Sequence, residues 1–530
     1  AILIFLFAFA LRVWDLGGPS LWYDEAYSWW IACEVPVRKT LAFSIRETVP
    51  PLTYLLLRGW VAVAGRSEFA LRAPSALMGM LALAAAGRIV WRLTRRWAGA
   101  VAAWALFAIA TPLLWAARDV RLYGPLLGFT LLAAMALLEV LYGPPERQRF
   151  WAWVWGAMML VSLYSLVLAG FWLIGQGVFV LWALVRDRRP DRFLKPVRSL
   201  WLPTLLGGLL HLPWAWAAVR ALSGLGGGSG NVGYWAGYLP PRAFWTTTVR
   251  GITVSQFLPV HLADGAGGLI ILMALMALLV LMALAPTRRW SRAALYPLVY
   301  ALVPLGILAY LFRTIPKWGV RHTLIFAPAP FLALATGWGM MGTLRARIWR
   351  RVMGGLLGLG TALTVALLGW ADFNLLANPA FAPDDWRSLV ATVQAQRQPD
   401  DVVIIETGAM FPAWVYYGGW EGVLPLPQDE LLDVTHVLHY ANTAPVLNAA
   451  LQGVKQVWIA EWLADVTDPT GIVPALLSRV GRELETPSFH GLGLRRFVLT
   501  ETPSFPPDGP PVSVRPRVDL LPNLRLWGAT

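Results

Sequence analysis

The sequence predicts a mainly α-helical, polytopic membrane protein with about 11 transmembrane helices and a small C-terminal extracytoplasmic α/β domain. Hydrophobic residues make up 57% of the 530 residues, and charged residues make up only 14%, whereas soluble domains carry about 25% charged residues. The mean hydropathy is +0.56, and the polar residues are concentrated in connectors and in the C-terminal third. This composition excludes an ordinary soluble enzyme, a disordered chain and a coiled coil.

Apolar stretches of the length that a membrane crossing requires, roughly 17–25 residues, recur along the first two thirds of the chain. The candidate spans are 1–14, 71–91, 98–116, 123–142, 150–168, 170–185, 199–219, 266–285, 293–312, 322–342 and 352–371. Because the chain begins without Met, we expect the first span to be cut at its start. The charge-free run from 150 to 185 has basic residues on both flanks, which predicts two short crossings with a turn near Ala169 and Gly170.

Basic residues occur in every second connector, and this alternation predicts the orientation. The basic connectors are 92–96, 147–149, 186–198, 288–292 and 345–351. Since Lys and Arg accumulate in cytoplasmic loops, we predict that these connectors are cytoplasmic and that the others, with the C-terminal residues, lie outside. Topology thus accounts for the net charge of +14, and we predict no nucleic-acid partner.

The sequence divides into a transmembrane module, 1–371, and an extracytoplasmic α/β domain with a Pro-rich tail, 372–530. Within the first outer loop, 15–70, the apolar segment 52–65 is short and carries Arg58 at its centre, so we predict an interfacial helix there. The α/β prediction rests on buried strand patterns and helical patterns that alternate after Trp370. The predicted strands are 401–405 and 456–460, and the predicted helices are 384–396 and 443–452.

Two adjacent carboxylates, Asp24 and Glu25, follow Tyr23 just beyond the first predicted span. One interpretation is helix capping, because Asp is a favoured residue at a helix N-terminus. The other is a general base held near the membrane surface.

Two further charged clusters lie in loops that are predicted to face the same compartment. The first contains Arg118, Asp119, Arg121 and the adjacent Tyr123; the second contains Lys317, Arg321 and His322. Arg72 lies at the start of the second span, where its side chain could simply extend to the interface. The clusters are either weak surface ion pairs or cations that bind a lipid phosphate. Cations on the outer face run against the topological bias, which favours the functional interpretation.

An ordered set of short motifs resembles the GT-C superfamily of integral-membrane glycosyltransferases. The motifs are Leu-Trp-Tyr-Asp-Glu-Ala at 21–26, Pro-Pro at 50–51, Ser-Glu-Phe-Ala-Leu-Arg at 67–72, Arg-Asp-Val-Arg-Leu-Tyr at 118–123, Arg-His at 321–322 and Asp-Trp-Arg at 385–387. The branch that the sequence resembles contains the protein O-mannosyltransferases and the bacterial aminoarabinose transferases, which are glycosyltransferase family 39-like. The resemblance covers residues 1–371 in order, and the tail motif at 385–387 also resembles bacterial members.

The resemblance implies transfer of a sugar from a polyprenyl-phosphate donor to an acceptor hydroxyl on a protein, lipid or glycan. The reaction would occur at the outer face of a prokaryotic cytoplasmic (inner) membrane, with inversion at the anomeric carbon. It implies Asp24 as the catalytic base, with Glu25 in support. The residues implied in binding the carrier phosphate are Arg72, Arg118, Arg121, Arg321 and Lys317, and those implied in other substrate contacts are Tyr23, Asp119, Tyr123 and His322.

No cofactor is certain from the sequence. If a divalent cation takes part, Asp24, Glu25 and Asp119 are its predicted ligands. Two other functions stay open at this point: a lipid or glycolipid transporter or flippase without transferase chemistry, and a non-catalytic scaffold. Transporters place ionisable groups near the bilayer midplane, whereas the charges here gather at one face, which favours an interfacial enzyme.

The predicted orientation can be tested by cysteine labelling in a protein whose single cysteine, Cys33, is replaced. We expect Ser291→Cys to react with a membrane-impermeant maleimide only after permeabilisation, because it lies in a basic connector. Thr502→Cys, in the tail, is the control that should react in intact cells. Labelling of position 291 from outside would contradict the topology.

Overall fold

The computed structural model describes the chain except for residues 48, 187–189, 223–238, 284–287, 315–317, 343–346, 434, 507–508, 510–517, 522–523 and 527–530. It divides the chain into two compact units. Unit 1 contains Ala1–Gly18 and Ile31–Ala382, and unit 2 contains Pro19–Trp30 and Pro383–Thr530. Residues 19–30 therefore lie with the C-terminal residues, although the division at 371/372 assigned them to the membrane module. That functional division stays a prediction.

Helices dominate unit 1, and helices and strands alternate in unit 2. The helices are α1 (Ile2–Val13), α2 (Tyr23–Trp29), α3 (Val37–Arg46), α4 (Leu52–Ala64), α5 (Glu68–Thr94), α6 (Trp97–Ile109), α7 (Thr111–Ala116), α8 (Tyr123–Tyr142), α9 (Gln148–Leu163), α10 (Leu168–Arg186), α11 (Pro190–Leu222), α12 (Pro241–Thr253), α13 (Val260–Ala283), α14 (Arg288–Leu311), α15 (Pro328–Met341), α16 (Arg347–Ala377), α17 (Trp386–Gln396), α18 (Phe411–Gly418), α19 (Tyr440–Ala450), α20 (Ala464–Thr467) and α21 (Ile472–Val480). The strands are β1 (Val402–Glu406), β2 (Val423–Leu426), β3 (Gln456–Glu461), β4 (Gly481–Leu484), β5 (Gly493–Leu499), β6 (Val518–Leu521) and β7 (Leu524–Leu526).

The predicted helical membrane protein is confirmed. Among the described residues, 7 helices are long and apolar enough to cross a bilayer: Glu68–Thr94, Tyr123–Tyr142, Leu168–Val185, Lys195–Arg220, Arg292–Leu311, Val320–Met341 and Arg350–Ala377. Shorter apolar helices cover Ile2–Val13, Leu52–Ala64, Trp97–Ile109 and Val260–Met276. Every predicted span overlaps at least one helix, and the predicted interfacial segment contains the 13-residue helix α4, Leu52–Ala64.

Prolines and tight turns shift several predicted boundaries. The predicted span 98–116 is two helices, α6 and α7, because Ala110 leaves the helical conformation with ψ 103. Pro112, near the start of α7, has no N–H to donate to the carbonyl of Ala108. A continuous helix would therefore lack one hydrogen bond at this point, and the break lies there. The chain also turns between Leu163 and Leu168, slightly before the predicted Ala169–Gly170 turn. Helix α12 lies between the predicted spans 199–219 and 266–285, where the sequence analysis predicts no helix.

Buried ion pairs fix the ends of α5 and α8 to each other. Glu139 on α8 is 1% exposed and accepts hydrogen bonds from Arg88 Nε at 2.6 Å and from Arg92 Nε at 3.1 Å. Arg92 and Arg95 also donate to the carbonyl of Tyr142, the last residue of α8, at 3.2 and 2.7 Å. A charge buried in such an apolar setting is tolerated only when it is paired and hydrogen-bonded, which these contacts provide.

Unit 2 is built on a five-stranded mixed sheet of order β2-β1-β3-β5-β4. Strand β1 runs parallel to β2 and β3, and β5 runs antiparallel to β3 and β4. β1 is buried from Val403 to Glu406, as expected for a central parallel strand that is covered on both faces. The α/β prediction is confirmed, including both predicted strands and both predicted helices. Strands β2, β4, β5, β6 and β7 were missed because they are short or half-exposed.

Candidate functional site

Asp24 and Glu25 lie in the first turn of the seven-residue helix α2. The residue at the cap position is Trp22, and its side chain makes no cap hydrogen bond, so Asp24 does not act as the N-cap. The exposed fractions of Asp24 and Glu25 are 9% and 1%. Ser28 Oγ donates to the Asp24 carbonyl oxygen at 2.7 Å.

Arg72 and Ser75, on the first turns of α5, bring two other segments of unit 1 together. Arg72 is buried and donates from Nη1 to the carbonyl oxygen of Leu16 at 2.9 Å. Ser75 Oγ donates to the carbonyl oxygen of Asp119 at 2.6 Å. A Cβ on Gly124 would lie only 2.7 Å from Ser75 Cβ, so this close approach of α8 to α5 requires a glycine.

Arg118 stabilises the end of α1. Its Nη1 donates to the carbonyl oxygens of Leu11 and Arg12 at 3.0 and 3.1 Å. These are among the last carbonyls of the helix, which have no intrahelical partner. Arg118 therefore has a structural role that the sequence analysis did not predict.

The loop between α7 and α8 gathers the other predicted residues of this cluster. Arg121 hydrogen-bonds to the hydroxyl of Tyr54 on α4. Asp119 is 3% exposed, and Tyr54 and Tyr123 are each 5% exposed. The structure thus brings Arg72, Arg118, Asp119, Arg121 and Tyr123 to one end of unit 1.

Arg321 and His322 lie on the 3₁₀ segment Val320–Phe326, which packs against α7 and α8 on both sides of that loop. The Gly319 N–H donates to His322 Nδ1 at 2.9 Å, so a neutral imidazole carries its proton on Nε2. The ring of Trp318 stacks on the imidazole with centroids 5.9 Å apart. His322 thereby fixes the start of the segment that carries Arg321. Lys317 lies outside the described residues.

The predicted residues divide between the two units. Tyr23, Asp24 and Glu25 belong to unit 2, and the arginines with Asp119, Tyr123 and His322 belong to unit 1. Within the described part of the chain, no group of three or more His, Cys, Asp or Glu side chains is arranged to hold a metal ion. The predicted cation ligands, Asp24, Glu25 and Asp119, therefore stay a prediction.

The Asp-Trp-Arg motif at 385–387 organises the start of α17. Asp385 is the N-cap, and its Oδ1 accepts a hydrogen bond from the Ser388 N–H at 3.2 Å. Trp386 is fully buried. The Arg387 guanidinium lies 5.9 Å from the centre of the Tyr417 ring. These contacts give the motif a structural role: they cap α17 and pack its first turn in unit 2.

Sequence reasoning missed several residues that organise these clusters. Arg12 was overlooked although it is the one charge in the span 1–14. Its guanidinium is buried and donates to the carbonyl oxygens of Phe107 and Ala108 at 3.1 and 3.4 Å. Tyr54 and Ser75 carry no sequence signal of their own, because only the fold brings them to the α7–α8 loop.

Unit 2 also contains a buried acidic group at the carboxyl ends of its parallel strands. Glu406 ends β1 and pairs in register with Glu461, which ends β3. Burial raises the pKa of Glu406 to about 9, and a hydrogen bond with Asp468 and the charges of Glu461 and Asp468 act in the same direction. Asp468 accepts hydrogen bonds from the backbone N–H groups of Ile472 and Val473 at 2.7 and 2.9 Å. Glu406 is therefore protonated at neutral pH.

No family model and no curated protein sequence matches the chain. Among solved structures, the chain is similar to ArnT from Cupriavidus metallidurans in the apo state, with a TM-score of 0.57 and 12% identity. The alignment covers 93% of this chain and 97% of that one. The chain has the GT-C fold.

Two further structures with the GT-C fold are similar to this chain. One is ArnT from Cupriavidus metallidurans bound to undecaprenyl phosphate, with a TM-score of 0.53, 15% identity and coverage of 93% and 97%. The other is the oligosaccharyltransferase AglB from Archaeoglobus fulgidus in complex with an inhibitory peptide and a dolichol-phosphate. Its TM-score is 0.53 at 12% identity, and the alignment covers 94% of this chain and 74% of that one. At these identities the likeness concerns the fold.

The protonated state of Glu406 predicts a pH-dependent stability of unit 2. The free energy of unfolding of unit 2 should be highest below the unfolded pKa of Glu406, near 4.5. It should fall as the pH rises towards 9, because ionisation of Glu406 is disfavoured in the folded state. Glu406→Gln, which mimics the protonated acid, should therefore raise the apparent melting temperature at pH 8.5 and have less effect at pH 5. Limited proteolysis of the full-length protein during heating, followed by mass spectrometry of unit 2 peptides, measures this. Glu485→Gln, at an exposed position, is the control; equal effects of both substitutions would contradict the assignment.

Proposed function

We propose that this protein is a glycosyltransferase that moves a sugar from a polyprenyl-phosphate donor to an acceptor hydroxyl, with inversion. The observation that carries the proposal is the buried Asp24–Glu25 pair in the first turn of α2. The cluster of arginines at one end of unit 1 supports it, because the two substrates require both a base and a phosphate site. The GT-C fold supports it further, since similar structures hold undecaprenyl phosphate or a dolichol-phosphate.

In the proposed reaction, the carboxylate of Asp24 accepts the proton of the acceptor hydroxyl as the hydroxyl oxygen forms a bond to the anomeric carbon. The bond from that carbon to the carrier phosphate breaks, and the phosphate oxygen keeps the electron pair. Attack on the side opposite the phosphate inverts the anomeric carbon. Asp is suited to this task because its ordinary pKa, about 3.9, keeps it ionised at neutral pH. Glu25 supports the base from the same helical turn.

The leaving phosphate gains negative charge in an apolar setting, where it needs positive partners. Arg121 and Arg321 are our preferred phosphate ligands, with Arg72, Arg118 and Lys317 as further members of the proposed set. Arg72 and Arg118 also donate to backbone carbonyls, and Arg121 hydrogen-bonds to the hydroxyl of Tyr54. A guanidinium can bind two phosphate oxygens at once, which a Lys cannot reproduce. Tyr23, Asp119, Tyr123 and His322 are proposed to contact the substrates.

The proposed location is the inner membrane of a prokaryote, with the active site and unit 2 on the outer face. The basic connectors support this orientation. A lipid-linked donor suits that compartment, because the sugar enters the reaction attached to a membrane carrier. The acceptor hydroxyl belongs to a protein, a lipid or a glycan, and mass spectrometry of lipids that co-purify with the protein is the first step towards naming the donor.

The base assignment predicts the effect of Asp24→Asn. The amide keeps the size of the side chain but cannot accept the proton, so sugar transfer should fall about 10²–10⁴-fold. Binding of undecaprenyl phosphate should be unchanged, because the proposed phosphate ligands are elsewhere in the chain. The measurement is release of undecaprenyl phosphate from undecaprenyl-phosphate-linked aminoarabinose, mannose and donors extracted from membranes.

Asp15→Asn is the matched control, since Asp15 is an exposed carboxylate in the same outer loop. Asn also tolerates the positive φ of 46° at this position. Sugar transfer at the wild-type rate by Asp24→Asn would eliminate the base assignment. A transporter without transferase chemistry would release no undecaprenyl phosphate from the donor in either protein.

The phosphate assignment predicts that Arg→Lys weakens binding at Arg121 and Arg321 although the charge is kept. We expect a loss of about ten-fold or more in affinity for undecaprenyl phosphate, because the paired hydrogen bonds of a guanidinium are lost. Titration of the purified protein with undecaprenyl phosphate measures this, and Arg147→Lys, on an exposed connector residue, is the control. Unchanged affinity in both variants and in both Arg→Ala variants would mean that the phosphate binds elsewhere.

A further inference from the structure

The carboxyl ends of β1 and β3 form the part of the unit 2 sheet where a ligand would be expected. The chain leaves β1 towards β2 on one side and later returns to β3 on the other side of β1. In open α/β sheets, the crevice outside such a reversal point is the usual ligand site. The residues that follow β1 and β3 therefore decide what this crevice holds.

The first half of segment 19–30 is contacted by Trp462, Asp384 and Tyr417 of the same unit. The rings of Tyr23 and Trp462, which directly follows β3, have centroids 5.7 Å apart. Trp462 Nε1 donates to Asp384 Oδ2 at 2.8 Å, and Ser20 Oγ donates to the Asp384 carbonyl oxygen at 2.6 Å. The Leu21 N–H donates to the hydroxyl of Tyr417 at 2.8 Å.

The second half of the segment is held by α18, which follows β1. Trp29 packs edge-to-face on Tyr416 with centroids 4.9 Å apart. Trp30 packs in the same way on Phe411 at 5.0 Å. Segment 19–30, which includes α2, is therefore fixed at both ends: Asp384, Tyr417 and Trp462 contact its first half, and α18 contacts its second half.

Helix α2 has little stability of its own. It has seven residues and no side-chain cap, and the chain continues directly into a π-helical turn at Trp30–Glu34. Isolated helices shorter than about 12–15 residues are marginal in water. The order of α2, and with it the direction of the Asp24 side chain, depends on its contacts with the other residues of unit 2.

We propose that the sheet of unit 2, together with α18, acts as a holder for the catalytic helix: their side chains fix α2, and Tyr417 and Trp462 are positioning residues for Asp24. The proposal rests on the proposed function of Asp24 as the base. On this proposal, the C-terminal residues of unit 2 affect the reaction rate by positioning the base, without contacting the sugar. A misplacement of about 1 Å can cost about 10² in rate, so loosening α2 should lower kcat.

Tyr417→Phe and Trp462→Phe test the proposal. The first removes only the hydroxyl that accepts from Leu21, and the second keeps a ring against Tyr23 but loses the N–H bond to Asp384. We expect kcat to fall about 10–100-fold in both variants, with the affinity for undecaprenyl phosphate unchanged. Tyr440→Phe is the matched control, because its hydroxyl donates to the Pro506 carbonyl at 2.8 Å within the same unit.

Two readouts separate positioning from a general loss of structure. Hydrogen exchange should speed up in residues 19–30 of the variants but not in β1 and β3. In the Asp24→Asn background, neither Phe variant should lower the residual rate further, because the group that they position is gone. Additive losses would mean that Tyr417 and Trp462 act through the fold as a whole and would overturn the proposal.

The outcomes also distinguish this proposal from the assignment of the base. If Asp24→Asn transfers sugar normally, the proposed function of Asp24 fails. If Asp24→Asn is inactive while both Phe variants keep wild-type kcat, the base stands and the holder proposal fails. Unchanged hydrogen exchange in residues 19–30 would overturn the holder proposal regardless of the rates.

Discussion

The helical unit depends on one constraint: the last backbone carbonyls of a helix have no intrahelical partner and need other hydrogen-bond donors. Arginine side chains supply these donors repeatedly in the described part of the chain. Arg12 donates to Phe107 and Ala108 at the end of α6, and Arg118 donates to the end of α1. Arg92 and Arg95 donate to Tyr142 at the end of α8. A long, always charged side chain with five N–H groups suits this task, because it also complements the negative end of the helix dipole.

Two of the arginines that the sequence predicts as phosphate ligands, Arg72 and Arg118, thus also have a structural role. Charged side chains on the predicted outer face suggest a phosphate site, yet Arg72 and Arg118 already serve backbone carbonyls. The same contacts also organise the site, because they fix the start of α5, the end of α1 and the α7–α8 loop to one another. A structural role and a phosphate role are compatible, since a guanidinium has more N–H groups than a single carbonyl can accept.

Unit 2 follows a different principle, in which a sheet positions a short segment from far away in sequence. The parallel strands β1, β2 and β3 need helices on both faces, and the residues that follow β1 and β3 meet at one edge because the strands run in the same direction. Segment 19–30 contacts Phe411, Tyr416 and Tyr417 on α18 and Trp462 after β3. Aromatic side chains fit this use, since each offers a large rigid surface at a low cost in conformational entropy.

The sequence by itself determined the membrane character, the positions of the apolar helices and the strands β1 and β3, because these follow from apolar length and period along the chain. It also singled out Asp24, Glu25 and the charged loops, since charges next to apolar spans stand out in composition. Only the tertiary structure decided that Asp24 lies inside α2 instead of capping it, and that Arg118 serves the end of α1. The grouping of residues 19–30 with the C-terminal sheet was likewise invisible, because Tyr23 and Trp462 are joined by a contact between distant segments and by no local pattern.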